Sequence, residues 1–303
     1  MDLSANADRF TAFADLYDAV RPSPPPVLAA IICRYAAVAP LLRPAMVVDL
    51  GCGTGLSTRW AAQWADEVIG VDPSEDMLAV ATAASGPTNV TYRVGWSHAT
   101  GLADAGADVV LASQALHWMD PSPTFAEVAR ILRPGGVFAA FDVDWPPSVG
   151  SYAAEEAWQL ARARIKYYES ALAAGMSADD LRASAVSEDA LALPAHFGRD
   201  PQKNRHMAHG VRGWSKDEHL ERMMTSNVFR WCREITVHGE QTGTGRNFTD
   251  MFRSQGDYQT LRKLGLSDAD LGIDTYLQLG EDLVGSAPVP MLWSYRVRLG
   301  VSG

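Results

Sequence analysis

The stretch Val47-Val48-Asp49-Leu50-Gly51-Cys52-Gly53-Thr54-Gly55 decides how this chain folds. Two valines and a leucine around one aspartate read as a short buried strand. Three glycines at alternate positions then permit a tight turn and a close backbone approach to a ligand, because no Cβ stands in the way. From about Leu56 the pattern becomes helical. Strand, glycine turn and helix in that order form the crevice where doubly wound sheets bind nucleotide-like cofactors. The spacing narrows the cofactor. A dinucleotide fingerprint, G-x-G-x-x-G, would need a glycine at position 56, which is Leu56. A phosphate-cradling loop would end in Gly-Lys-Ser or Gly-Lys-Thr, and no lysine follows. The pattern is instead D-x-G-x-G-x-G, with an anion, Asp49, before the turn.

Outward from this turn, strands and helices alternate. Strands are expected at Met46–Leu50, Val68–Asp72, Val90–Val94, Asp108–Ala112 and Val137–Val143. Helices are expected at Leu56–Ala65, at Ser74–Ala84 with Ser74 as N-cap, and at Ser122–Leu132, closed by Arg133-Pro134-Gly135-Gly136. This rhythm implies an α/β fold with a Rossmann-like, seven-stranded, mostly parallel sheet. After Asp144-Trp145-Pro146-Pro147 the rhythm changes, with helices expected over 151–174, 178–192 and 215–227. Two further strands follow, Arg233–His238 and Trp293–Val301. The expected organisation is a helical N-terminal segment, 1–44, a core of 45–144 and 229–303, and a helical insertion, 145–228. Such an insertion either caps a pocket or forms a dimer surface.

Composition removes several classes of function. Of 303 residues, 47% are hydrophobic and 20% charged, as in ordinary globular proteins. The net charge of −10, with no long basic run, weighs against nucleic acid as a partner. No stretch approaches the roughly 20 apolar residues of a membrane span. Met1–Ala5 lacks the basic and apolar regions of a signal peptide, so a cytoplasmic location is expected. Cys33, Cys52 and Cys232 are too scattered for a disulfide framework or a zinc site, and Cys52 reads as a space-filler in the turn. The seven histidines show no H-E-x-x-H spacing, so no metal is expected.

Taken together, these motifs closely resemble the class I S-adenosylmethionine-dependent methyltransferases, type 11 small-molecule group, over about residues 10–143. Asp49, Gly51, Gly53 and Gly55 resemble motif I, which in the family holds the amino acid end of the cofactor. Asp72, ending the second strand, resembles the acidic residue that accepts both ribose hydroxyls. Pro73 and Met77 follow where the family packs against adenine. The segments Ala107–Trp118 and Phe125–Gly136 resemble the fourth strand and the helix and turn before the fifth. The resemblance thereby adds Ser97 and Ser113 to the cofactor set. One departure stands out: the family commonly has Gly-Asp-Ala-Glu where this chain has Gly95-Trp96-Ser97-His98, so Ser97, a backbone group or a stacked Trp96 takes the place of an acidic adenine contact. Tyr17-Asp18-Ala19-Val20-Arg21-Pro22 resembles an N-terminal pattern that folds over the cofactor. Tyr17 then lies near the methyl donor, or packs with Phe10, Phe13 and Leu16. Arg21 either serves the cofactor carboxylate or caps the helix.

The resemblance implies methyl transfer from S-adenosylmethionine to a small molecule, with no membrane or nucleic-acid partner, by a monomer or homodimer. His117, just past the fourth strand, is the candidate base, or else a structural histidine beside Trp118. Trp118 and Arg246 are the candidate substrate contacts, Arg246 for a carboxylate. The aromatics of the insertion (Trp145, Tyr152, Trp158, Tyr167, Tyr168, Trp214), with Trp231 beyond it, either sandwich a flat acceptor or form a core. The expected acceptor is an aromatic or heteroaromatic secondary metabolite, methylated on N, O or C. An organic acid methylated on its carboxylate is the alternative, and a non-catalytic cofactor-binding protein is the alternative of another class.

Overall fold

The computed structural model describes residues 5, 14–37, 43–183, 205–206 and 211–303. Its main sheet has seven strands: β1 (Met46–Leu50), β2 (Glu67–Asp72), β3 (Val90–Val94), β4 (Ala107–Ser113), β5 (Leu132–Val143), β6 (Phe229–Gly243) and β7 (Val289–Ser302). Their order is β3-β2-β1-β4-β5-β7-β6. The first five run parallel, β7 is antiparallel to β5, and β6 is antiparallel to β7. The fold is therefore α/β with a mostly parallel, Rossmann-like sheet, as the alternation of elements implies. The strand order reverses direction between β1 and β4, which opens a crevice at their carboxyl ends.

Both faces of the sheet are covered, so the central strands are apolar at successive positions. Val47, Val109, Leu111, Ala139 and Phe141 point to one face, and Val48, Val110, Ala112, Phe138 and Ala140 to the other. On the first face lie α2 (Pro26–Tyr35) and α3 (Leu56–Ala61), where Trp60 meets Trp64 edge-on at 5.0 Å. On the second lies α5 (Pro121–Ile131), which buries Phe125, Val128 and Ile131. Before them in the chain is α1 (Ala14–Val20), and α4 (Glu75–Ala83) follows β2, its entry capped by the Ser74 hydroxyl on the Met77 N–H.

Several elements differ from the sequence expectation. Arg133–Gly136, expected as a closing turn, belongs to β5, because Leu132 pairs with Ala107 across a register shift. β6 is longer than Arg233–His238, since it pairs with β7 along its whole length while its polar outer positions hide the strand pattern. The expected helix over 151–174 is α6 (Tyr152–Ala173). Of the helix expected over 178–192, α7 spans Ala178–Ala183, and 184–192 lie outside the described residues. Phe10 and Phe13 also lie outside them. The third becomes a 3₁₀ turn, Lys216–Glu218, and then α8 (His219–Thr225).

Between β6 and β7 come α9 (Gly245–Arg253), α10 (Gly256–Lys263) and α11 (Asp274–Val284). These helices share one core with α6. Trp158 stacks on Trp145 with ring centroids 6.0 Å apart, and meets Phe248 at 4.9 Å and Phe252 at 5.0 Å. Trp158 and Tyr168 therefore fill a core instead of sandwiching an acceptor, whereas Tyr152 is exposed and Trp231 stacks on Tyr35 at 4.9 Å. Trp158→Ala should cost about 3–5 kcal/mol of stability, the range for emptying a buried tryptophan site. Urea unfolding would measure this, and a loss below about 1 kcal/mol would contradict the packing described.

Candidate functional site

The crevice is an open cleft of about 1120 Å³, solvent at its mouth included. Its floor is the glycine turn. Gly51 and Cys52 donate their N–H groups to the Val71 carbonyl at 2.8 and 3.2 Å. Gly53 donates to Asp72 Oδ2 and Ser74 to Asp72 Oδ1, both at 2.9 Å. The Asp72 carboxylate thus bonds the turns after both β1 and β2. Burial raises its pKa, and those two backbone N–H groups oppose the rise. Gly51 and Gly53 adopt φ of +64° and +54°, in the left-handed region that a side chain disfavours. A Cβ on Gly51 would also come within 2.8 Å of Ala115 and Met119.

Ten of the residues singled out in the sequence line this cleft: Tyr17, Arg21, Gly51, Gly53, Asp72, Pro73, Met77, Ser97, Ser113 and Trp118. Ser97 is engaged already, its hydroxyl 2.9 Å from that of Thr124. Trp96 lines the cleft beside it.

Four expected residues are elsewhere. Gly55 starts α3 in the left-handed region, and a Cβ there would overlap the Tyr92 hydroxyl, so its demand is steric. Asp49 is fully buried behind the turn, where its Oδ2 accepts the hydroxyls of Ser57 and Thr58 at 2.7 Å each. Its Oδ1 is buried without a hydrogen-bond partner. Arg246 is exposed on α9 and pairs with Asp250 one turn along at 2.9 Å, an ordinary i,i+4 surface pair. His117 is not among the lining residues. Its Nδ1 lies 3.2 Å from Asp142 Oδ1.

That carboxylate is the centre of a buried charge cluster. Lys216 Nζ lies 2.9 Å from Asp142 Oδ1, and Arg298, fully buried, lies 3.0 Å from Oδ2. Burial alone would raise the Asp142 pKa, but Lys216, His117 and Arg298 together hold it well below the usual range. His219 completes the cluster, and burial keeps its pKa well below the ordinary histidine value. The ligand atoms of His117, Asp142 and His219 lie within 4.8 Å of one another, a grouping that sequence spacing does not reveal. Two cations already neutralise Asp142, so the cluster is built as an ion-pair network.

Sequence reasoning passed over Gln114, Tyr295 and Val143, all of which line the cleft. Gln114 has a left-handed backbone, φ +54°, unusual for a side-chain-bearing residue and typical of sites where geometry is imposed. Its Oε1 accepts from Lys216 Nζ at 3.4 Å, so the charge cluster reaches the cleft wall through this amide.

Residues 48–140 match the family described as the methyltransferase domain. An uncharacterized methyltransferase of Mycobacterium tuberculosis is 39% identical over 127 residues, covering 42% of this chain and 49% of that protein. A probable S-adenosylmethionine-dependent methyltransferase of Saccharomyces cerevisiae is 32% identical over 117 residues, covering 35% of this chain and 40% of the other. A structure from Anaeromyxobacter dehalogenans, described as a candidate type II methyltransferase, aligns with a TM-score of 0.54 at 22% identity, covering 93% of this chain and 97% of that one. Fold and matched segment agree: residues 48–140, which hold most of β1 to β5, are similar to a methyltransferase domain and lie on a Rossmann-like sheet. The chain spans about half the length of the curated relatives it matches. Among the described residues no helix is long and apolar enough to cross a membrane.

The turn makes a pH prediction. Burial lifts the Asp49 pKa to about 6, above the unfolded value of about 3.9. The folded form therefore holds this proton more tightly. The stabilisation is complete below about pH 3.9 and is lost as pH rises through about 6. Relative to Asp49→Asn, the unaltered protein should lose about 2–3 kcal/mol between pH 4 and 7. Urea unfolding of both proteins across that range measures it, and parallel pH profiles would refute the buried, unneutralised carboxylate.

Proposed function

We propose that this protein transfers the methyl group of S-adenosylmethionine to a small aromatic or heteroaromatic acceptor, on N, O or C. The observation that carries this reading is the Asp72 carboxylate, which is fixed by two backbone N–H groups, lines the cleft and closes the glycine turn. Two lone-pair directions remain on it for a ribose diol. Gly51 and Gly53 line the cleft without side chains, so a cofactor can lie close against the backbone there. Met77 and Pro73 would flank the adenine with Trp96 and Ser97, and Ser113 with the turn would face the amino acid end. Asp49 acts from behind, by fixing α3 beneath the turn. The organisation we favour is a segment 1–44 covering the cofactor, a core of 45–144 and 229–303, and an insertion 145–228 that shapes the acceptor side.

When bound, the cofactor supplies an electrophilic methyl carbon and a thioether leaving group. An acceptor atom aligned with that carbon would take the methyl group as the thioether leaves, and any proton it loses would pass to solvent. No protein nucleophile is needed. The chain contributes alignment and exclusion of water. Tyr17, Trp118 and Tyr295 offer the aromatic walls for a flat acceptor, and Gln114, held by Lys216, offers an oriented amide. His117 serves this wall indirectly, through Asp142. A carboxylate O-methyltransferase is the second reading, favoured by Arg21, the single cation lining the cleft among the described residues.

Calorimetry tests the cofactor. S-Adenosylmethionine should bind and NAD should not, and Asp72→Asn should weaken S-adenosylhomocysteine by about 10–100-fold, the value of a charged hydrogen-bond pair. NAD binding would overturn the reading. Transfer of a labelled methyl group to members of a phenol, indole and aromatic-acid panel would establish catalysis, and cofactor binding without transfer to any would favour a non-catalytic role.

A further inference from the structure

We infer that Arg21 forms an anion subsite on the acceptor side of the cleft, and that the acceptor docks a carboxylate there. This rests on the methyl-transfer reading above and specifies its substrate class.

Arg21 follows α1 directly, and its side chain turns away from the helix end toward Ser254. Nε donates to Ser254 Oγ at 3.0 Å and Nη2 to the Ser254 carbonyl at 2.8 Å. These two bonds use one edge of the guanidinium. The end-on edge, formed by Nη1 and the second Nη2 hydrogen, has no acceptor among the described residues. That edge is the one that matches a carboxylate with two parallel bonds. The guanidinium carbon stands 4.4 Å from the Tyr17 ring centroid and 4.6 Å from that of Trp145. Aromatic faces of this kind hold a guanidinium in place without neutralising it.

The charge is uncompensated locally. No carboxylate among the described residues lies within salt-bridge distance of Arg21. The carboxylate whose charge bears on Arg21, that of Asp257, is bonded to Arg162 and lies 3.0 Å from Lys166, so two other cations already share it. A cation withdrawn from water with only neutral partners is costly, and an incoming anion removes that cost.

Position and number set the ligand. Asp72 marks the β2 end of the cleft, while Trp145 follows β5, and Tyr295 pairs with Val143 at the β5–β7 border. Three strand spacings separate β2 from β5, about 14 Å. Arg21 is therefore at the far side from the ribose-facing carboxylate. It is the one cation lining the cleft among the described residues, which suits a single negative charge better than a phosphate dianion. With Tyr17 against it and Trp118 and Tyr295 lining the same cleft, the site fits a flat carboxylic acid.

The test uses the full chain loaded with S-adenosylhomocysteine. Benzoate, cinnamate and succinate are titrated against neutral benzyl alcohol, by calorimetry and by the Arg21 Nε–H resonance, assigned through its loss in Arg21→Met. At least one carboxylate should bind and shift that resonance. Arg21→Met, checked for an unchanged fold by circular dichroism, should weaken it about tenfold or more while S-adenosylhomocysteine affinity changes less than twofold. Arg21→Lys, which keeps the charge without the fork, should recover part of the loss. Carboxylates that bind no better than benzyl alcohol, or equally well to Arg21→Met, overturn the inference. So does a fall in S-adenosylhomocysteine affinity in Arg21→Met with normal affinity for its decarboxylated analogue, because the anion is then the cofactor's own. Failure of the unaltered protein to bind S-adenosylhomocysteine at all sinks the methyl-transfer reading itself.

Discussion

One carboxylate joins the two turns on which the molecule is built. Asp72 accepts the N–H of Gly53 after β1 and of Ser74 after β2, so the ends of two parallel neighbours are tied by a side chain as well as by their ladder. Asp49, behind the turn, fixes the start of α3 through Ser57 and Thr58. The close fit extends to Gly70, opposite Asp49 in the register, where a Cβ would press on Tyr92 at 2.7 Å and on Cys52 Sγ at 2.9 Å. Strand, turn and helix are locked by short contacts that leave room for nothing larger. The open side of the lock is the cleft.

A second node holds the other half of the sheet. Arg298 on β7 is fully buried and binds Asp142 on β5, Glu234 on β6 and the Lys216 carbonyl. Three strands and the turn before α8 therefore meet at one guanidinium. A charge in such a place persists because each of its three nitrogens donates a hydrogen bond, and losing any partner strands the rest. Lys216 then carries the influence of this node to Gln114 at the cleft wall.

What could be seen in the sequence divides along the same line. The β1–α3–β2 unit was legible because its signals are local: a buried strand, alternate glycines and an acidic strand end. Gly51, Gly53 and Asp72, which carry those signals, line the cleft, as do Pro73 and Met77, which the family resemblance adds. His117 was not legible, because its orientation is set by Asp142, on another strand, together with charges from β7 and the 216 turn. Gln114 was missed for a different reason, since a left-handed backbone at a glutamine leaves no mark in composition or periodicity. Arg246 had a readable alternative in Asp250 four residues on, and the surface pair prevailed. The aromatics of α6 could have been either wall or core, and only the helices between β6 and β7 decide the matter.

The placement of β7 carries a consequence for how the chain is made. β7 lies between β5 and β6, yet it leaves the ribosome after both. Until Val289–Ser302 emerges, the outer edge of β5 is an apolar strand with unpaired backbone groups. At about 5–20 residues per second, that edge waits on the order of ten seconds after β5 is complete. An open apolar edge is a template for pairing with a foreign strand. The nascent first half of the sheet is thus exposed to aggregation during its own synthesis, and shielding it in that interval is a task for chaperones.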